Sequence, residues 1–206
     1  IRGKNMRLLK IFIQDMPRFK GNIDIDFITK QRVAEDDQEK LFNTFSNNYT
    51  SIYTNQAISF IGLNASGKTT ILEAIKFFEK PFDYLSHLRL MSRKYNPRSI
   101  KYSKIKEIFN ECKLENEISD NEKVKITSFF YNDNSVYKLE THIEKRVNQV
   151  DNESKLIITE ERLWEKDATK VKTKKSLFEF NDSDIRIERN EKEQFLLNDV
   201  SVMIAI

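Results

Sequence analysis

Gly62-Leu63-Asn64-Ala65-Ser66-Gly67-Lys68-Thr69 is the stretch that decides how this chain is read. It fits G-x-x-x-x-G-K-[ST], a glycine-bounded loop that cradles phosphate. A polyphosphate is a dense negative charge, held best by donors that already point at it. Glycine at 62 and 67 lets the backbone curl without a Cβ clash, so that successive N–H groups converge on one phosphate. A helix opening near Lys68 adds unpaired N–H groups and the positive end of its dipole. On this reading Gly62, Asn64, Ala65, Ser66, Gly67, Lys68, Thr69 and Thr70 bind a nucleotide. Lys68 reaches the β- and γ-phosphates as the catalytic cation, Thr69 offers its hydroxyl to Mg²⁺, and Thr70 stands where a side chain touches the α-phosphate.

The chain has four glycines, Gly3, Gly21, Gly62 and Gly67, and two of them fall at the required spacing. A chain of this length and ordinary composition matches the bare pattern roughly 1% of the time, so the flanks carry weight. Ala57-Ile58-Ser59-Phe60-Ile61 is a short continuous apolar run, as in a strand buried on both faces. Past Lys68, Ile71, Leu72, Ile75 and Phe78 share one helical face while Glu73, Lys76 and Lys80 occupy another. Pro81 ends that helix.

Working outward, Met6 to Ile13 reads as a strand and residues 16–22 as a turn. Ile23, Ile25 and Phe27 alternate with Asn22, Asp24 and Asp26, the period of a half-buried strand. From Thr29 to Asn55 the pattern dissolves into polar residues, including Glu35-Asp36-Asp37, and reads as a surface insertion. Residues 84–120 show no clear pattern. Beyond Lys123, alternation returns around Val124 and Ile126, over Tyr137 to Glu144, over Lys155 to Leu163 and over Ser176 to Phe180. Turn signals at Asn132-Asp133-Asn134 and at Asn148 to Asn152 separate these runs, which predicts an antiparallel sheet. Residues 190–197 read as helical.

Composition narrows the class. With 206 residues, 39% hydrophobic, fifteen Phe and seven Tyr, the chain carries a core, as disordered chains do not. No run approaches the roughly 20 apolar residues of a membrane span, and the basic opening is no secretory signal. The expectation is a cytoplasmic protein without a membrane partner. Thirty-five Lys+Arg against 32 Asp+Glu leave a net charge of +3, too small for a dedicated nucleic-acid binder but compatible with a local basic patch. A lone Cys112 excludes an intrachain disulfide and suits a reducing compartment. The chain opens on Ile1 and closes on the apolar run Val200 to Ile206, so residues 1–206 read as one nucleotide-binding lobe of a longer protein.

Phe60 to Ile75, with Asn64 inside the loop and Glu73-Ala74-Ile75 in the helix after it, resembles the ABC-type ATPase P-loop of the SMC, RecF and OLD group. The first strand, Arg18-Phe19-Lys20-Gly21 and Ile23 to Phe27 resemble that family's first hairpin. Ile157 to Leu163 and Leu177 to Phe180 look like strands of the AAA-type ATP-binding proteins of bacterial antiviral (abortive-infection) defence. The resemblance implies an α/β P-loop NTPase fold, an ABC-ATPase-like N-terminal lobe with an antiparallel β-subdomain. It implies ATP as substrate, Mg²⁺ as cofactor, hydrolysis coupled to head-to-tail dimerisation or larger assembly, and an effector protein or nucleic acid as partner. It also implies Arg18 and Lys20 as nucleotide contacts. Two family elements depart. No signature motif is found, and Leu156-Ile157-Ile158-Thr159-Glu160-Glu161, nearest to a Walker B strand, has Thr where Asp is required. Gln149 and Gln194 are the late candidates for the Q-loop glutamine.

Other residues read more simply. Cys112, His87 and His142 lack the neighbours of a nucleophile or a metal set, and a plain thiol and exposed histidines are favoured. Lys166, Lys170, Lys172, Lys174 and Lys175 form either a basic hairpin for a phosphate backbone or, the favoured reading, a solvated loop. Trp164 and Phe129-Phe130-Tyr131 are core before they are base-stacking platforms. Two rival functions stand: a P-loop kinase or GTPase, and a nucleic-acid or partner-binding module with a vestigial loop.

Overall fold

A computed structural model describes residues 6–19, 21–62, 66–76, 116–147 and 154–190. Its frame is an antiparallel meander; the alternation noted above marks its first three strands, while its last one was not anticipated. Strand β5 (Lys123–Asn132) turns into β6 (Ser135–Val147), β6 pairs with β7 (Ser154–Asp167), and β7 pairs with β8 (Ile185–Asn190). Asp133 and Asn134 both have positive φ, 53° and 68°, between the paired Asn132 and Ser135. That is the two-residue turn matching the twist of a hairpin, and Asp and Asn are the side chains that tolerate it.

Strand β1 (Arg7–Gln14) adds to the free side of β5, and β2 (Ile23–Asp26) adds to β1, giving the order β2-β1-β5-β6-β7-β8. The register between β1 and β5 slips between Leu8 and Lys10. The bulge is why Leu9 faces one layer while Ile11 and Ile13, at even spacing from it, face the other with Leu8. The chain then runs from β2 through an isolated Ile28–Thr54 bridge into a hairpin of β3 (Leu41–Ser46) and β4 (Ser51–Asn55).

The sheet buries both faces. On one, Ile11, Ile13, Ile126, Phe130, Leu139, Ile143 and Leu163 meet Ala74 and Ile75 of a helix, α1 (68–76), and Ile118. Side chains removed from water this completely contribute about 1.5–3 kcal/mol each. On the other face, Leu9, Phe129 and Val136 meet Phe45 and Ile52 of the β3–β4 hairpin and Ala168, Val171 and Leu177 of the connection between β7 and β8. The fold is therefore mixed α/β with an antiparallel sheet; among the described residues every strand pairing is antiparallel. No described helix is long and apolar enough to cross a membrane.

Three expectations are corrected. Residues 29–55 are not patternless: Phe45 and Ile52 alternate inward across a hairpin that roofs the second core. Polar Thr54 is buried beside them, and that mixture hides the period. Ala57–Ile61 is not a buried strand. It runs without a ladder, and Ile61 is 94% exposed. A strand needs a neighbour to supply its second row of hydrogen bonds, which no local composition guarantees. Ser176 to Phe180 is not a strand either. It opens with a 3-10 turn at Ser176–Phe178, where Ser176 Oγ accepts from the Lys172 and Thr173 amides and Thr173 Oγ1 accepts from Ser176 N–H. Such local side-chain bonds compete with a ladder. Of the helix expected at 190–197, Asn190 instead ends β8, and residues 191–197 lie outside the described residues, as do Cys112, His87, Gln149 and Gln194.

Candidate functional site: the glycine loop at the head of helix α1

Helix α1 begins where the glycine pattern ends. The Ile71 N–H donates to the Gly67 carbonyl at 3.1 Å, the first helical bond, so the amides of residues 68–70 head the helix. Gly67 has φ +83°, a left-handed conformation natural to glycine. A Cβ there would also fall 2.4 Å from the Phe19 ring. At Gly62 a Cβ would lie 2.7 Å from Ser66 Oγ, a hydroxyl that would have to turn aside.

The Lys68 side chain folds back across the loop. Its Nζ donates to the Gly62 carbonyl at 2.8 Å and to Ser66 Oγ at 3.3 Å. The ammonium thus ties the first glycine to the end of the loop, and the cation sits above backbone shaped by two glycines. Thr69 is exposed and Thr70 is buried at 1% exposure. Asn64, Ala65 and Lys20 lie outside the described residues.

Two side chains that the motif does not contain complete the surroundings. Phe19, at the turn after β1, lays its ring against Gly67 and packs on the first core. Glu117, 12% exposed, accepts from Thr70 Oγ1 at 2.5 Å and pairs with Arg18 Nε at 3.3 Å, both through Oε2. Arg18 is thereby held beside the first turn of α1. Its neighbour Ile118 is buried in the core that holds Ala74 and Ile75, which fixes Glu117 in place. Nothing in the sequence pointed to Glu117, far from the loop in the chain. For Phe19 the signal was its place in the hairpin element carrying Arg18.

Among the described residues, Lys68 supplies a positive charge at the head of α1. For Mg²⁺ the fit is narrow: Thr69 presents an exposed hydroxyl, and among the described residues no group of three or more His, Cys, Asp or Glu gathers into a metal site. A metal here would be carried mainly by the oxygens of its nucleotide.

Comparison with known proteins adds no relative. No family model, curated protein or solved structure matches this chain.

The remaining sequence candidates fall elsewhere. Residues 156–161 lie within β7, paired to β6 on one side and reaching β8 on the other, with Thr159 at the register shift. Glu160 pairs with Arg162 at 2.9 Å; Glu161 is fully buried and accepts from Thr141 Oγ1 at 3.0 Å. Only one of the two acids is at the surface. Phe129, Phe130 and Trp164 are buried, and Lys138 Nζ sits 3.9 Å over the Trp164 ring. His142 lies 3.4 Å from Glu140 on a half-buried face.

The lysine cluster divides. Lys166 Nζ bonds the Ser176 carbonyl and, at 2.6 Å, the Glu179 carbonyl, over the Phe180 ring. Lys174 Nζ bonds the Thr29 and Gln31 carbonyls at 2.5 and 2.8 Å. Burial pushes both ammonium groups below the usual lysine range. These two are structural ties, and Lys175 pairs with Glu179 at 3.5 Å.

Proposed function

We propose that this chain binds ATP with Mg²⁺ at the loop Gly62 to Thr69, as the nucleotide-binding lobe of a P-loop NTPase of the ABC type. The observation that carries the reading is Lys68: its ammonium lies 2.8 Å from the Gly62 carbonyl, closing a loop whose far end, Gly67, requires glycine, at the head of a helix. A phosphate entering there displaces a carbonyl from a cation that is already in position and meets the helix N-terminus behind it. The chemistry is positioning and charge neutralisation. Lys68 neutralises the β- and γ-phosphate oxygens, the loop amides hold the β-phosphate, and the Thr69 hydroxyl reaches the metal. By the resemblance, hydrolysis belongs to a head-to-tail pair, within a cytoplasmic antiviral assembly with an effector protein or nucleic acid. The prediction for the chain alone is binding with slow turnover.

Equilibrium titration with ATP–Mg²⁺ tests this. Wild type binds, guanine nucleotide does not displace ATP preferentially, and Lys68→Ala loses at least tenfold in affinity, about 1.4 kcal/mol. Equal binding by wild type and Lys68→Ala would sink the reading.

One observation favours a second reading, a partner-binding module with an unused loop. Ala57 to Ile61, expected to lead into the loop as a sheet strand, has no ladder and is largely exposed. On that reading Lys68→Ala leaves partner binding intact.

A further inference from the structure

Arg18 and Glu117 meet at the loop from two distant parts of the chain. Phe19 seats its ring on Gly67, so the backbone of the adjacent Arg18 is held at the loop. Glu117 then takes Arg18 by the inner nitrogen, Nε, at 3.3 Å, while the arginine side chain remains 60% exposed. An arginine anchored at Nε keeps its outer pair of nitrogens for another oxyanion, and that planar fork matches two phosphate oxygens. The anchor is itself fixed. Glu117 is 12% exposed, receives the Thr70 hydroxyl at 2.5 Å, and is backed by buried Ile118.

We propose that Glu117 is a positioning residue of the phosphate site, orienting Arg18 so that its outer guanidinium nitrogens grip the polyphosphate held by Lys68. This rests on the nucleotide-binding reading above and adds the carboxylate that aims its second cation. Glu117 does not touch the ligand. Thr70 belongs to the same device: its hydroxyl is given to Glu117 and serves the anchor.

The test is titration of the full chain with ATP–Mg²⁺ and with inorganic triphosphate–Mg²⁺, in wild type, Lys68→Ala, Arg18→Ala, Glu117→Gln and the Arg18→Ala/Glu117→Gln double variant. Each is melted first. Gln keeps an acceptor for Thr70 but removes the charge that holds Arg18. We expect Arg18→Ala to weaken both ligands about tenfold and Glu117→Gln about fivefold, with the double variant no weaker than Arg18→Ala alone. A carboxylate that merely supported the fold would lower the melting temperature and give multiplicative losses. Should Glu117→Gln melt low, Arg18→Lys replaces it: the residue is exposed, keeps its charge and lacks the anchored fork, and is expected to bind as weakly as Arg18→Ala. Wild-type affinity in Glu117→Gln or Arg18→Lys, or a double loss equal to the product of the singles, overturns the proposal while Lys68→Ala still reports on the loop. If wild type binds neither ligand, or Lys68→Ala binds as wild type does, the loop reading falls and this inference with it.

Discussion

Phe19 and Gly67 share a space with no room for one more carbon. The ring atoms Cε1 and Cζ stand 2.4 Å from where a Cβ on Gly67 would be, and the Gly67 φ of +83° is one that side chains resist. Gly67→Ala is therefore expected to cost about 1–3 kcal/mol, part strain and part collision. Thermal melts of Gly67→Ala alone and with Phe19→Leu separate the two. The leucine relieves the collision and leaves the backbone strain, so the double variant recovers part of the loss. Full recovery, or none, contradicts this account.

Asn47 ties the roof of the second core to the connection between β7 and β8. Its amide donates to the Ala168 and Val171 carbonyls, both at 2.8 Å, and its carbonyl accepts from the Tyr49 and Thr50 amides at 2.8 and 2.9 Å. Asn47→Ala is predicted to lose about 2–3 kcal/mol, as several half-buried groups lose partners together. Denaturant titration measures it, and a loss below about 0.5 kcal/mol would show that water replaces these bonds.

Lys174 bridges the Thr29 and Gln31 carbonyls across a wide gap in sequence. Lys174→Met keeps the aliphatic stem and removes the donor. We predict about 1–2 kcal/mol of destabilisation, with faster amide exchange confined to the strip around residues 29–33. Exchange unchanged there would reduce Lys174 to a surface charge.

Glu140 sets an acid limit. Its carboxyl is held at about 2, below its ordinary 4.5, by the bond to His142 against the opposing effect of burial, and then by Lys125 and Lys138. Because the folded value is the lower one, the stabilisation is complete above about pH 5 and fades as the pH falls toward 2. After allowance for solvent screening the effect is about 2 kcal/mol. Glu140→Gln is expected to flatten the stability curve between pH 5 and 2, and an unchanged slope would assign the acid sensitivity elsewhere.

Legibility in the sequence followed physical locality. Strands β2, β5, β6 and β7 lie where alternation placed them and β1 where its apolar run did, because strand character shows in neighbouring residues alone. The Asp133-Asn134 turn was readable for the same reason, its backbone demand being met by its own side chains. The order β2-β1-β5 and the desertion of Ala57 to Ile61 were not readable, since both depend on partners far along the chain. The site divides similarly. Gly62, Gly67 and Lys68 come together within one loop and were found from their spacing. Glu117 acts through a fold contact with Thr70 and Arg18, and no spacing rule reaches it. Lys166 and Lys174 looked solvated because a run of charge does not say which ammonium finds a carbonyl.

The pairing of Ile13 with Ile126 has a kinetic corollary. Joining those two residues closes a span of over a hundred positions, with the glycine loop and α1 inside it, whereas β5 to β6 needs only a two-residue reversal. Short closures come early and long ones late. Refolding followed by pulsed deuterium labelling should protect β5 and β6 before β1. The anion grip we propose would thus be the last thing to mature, since its arginine arrives only when the most remote strand docks.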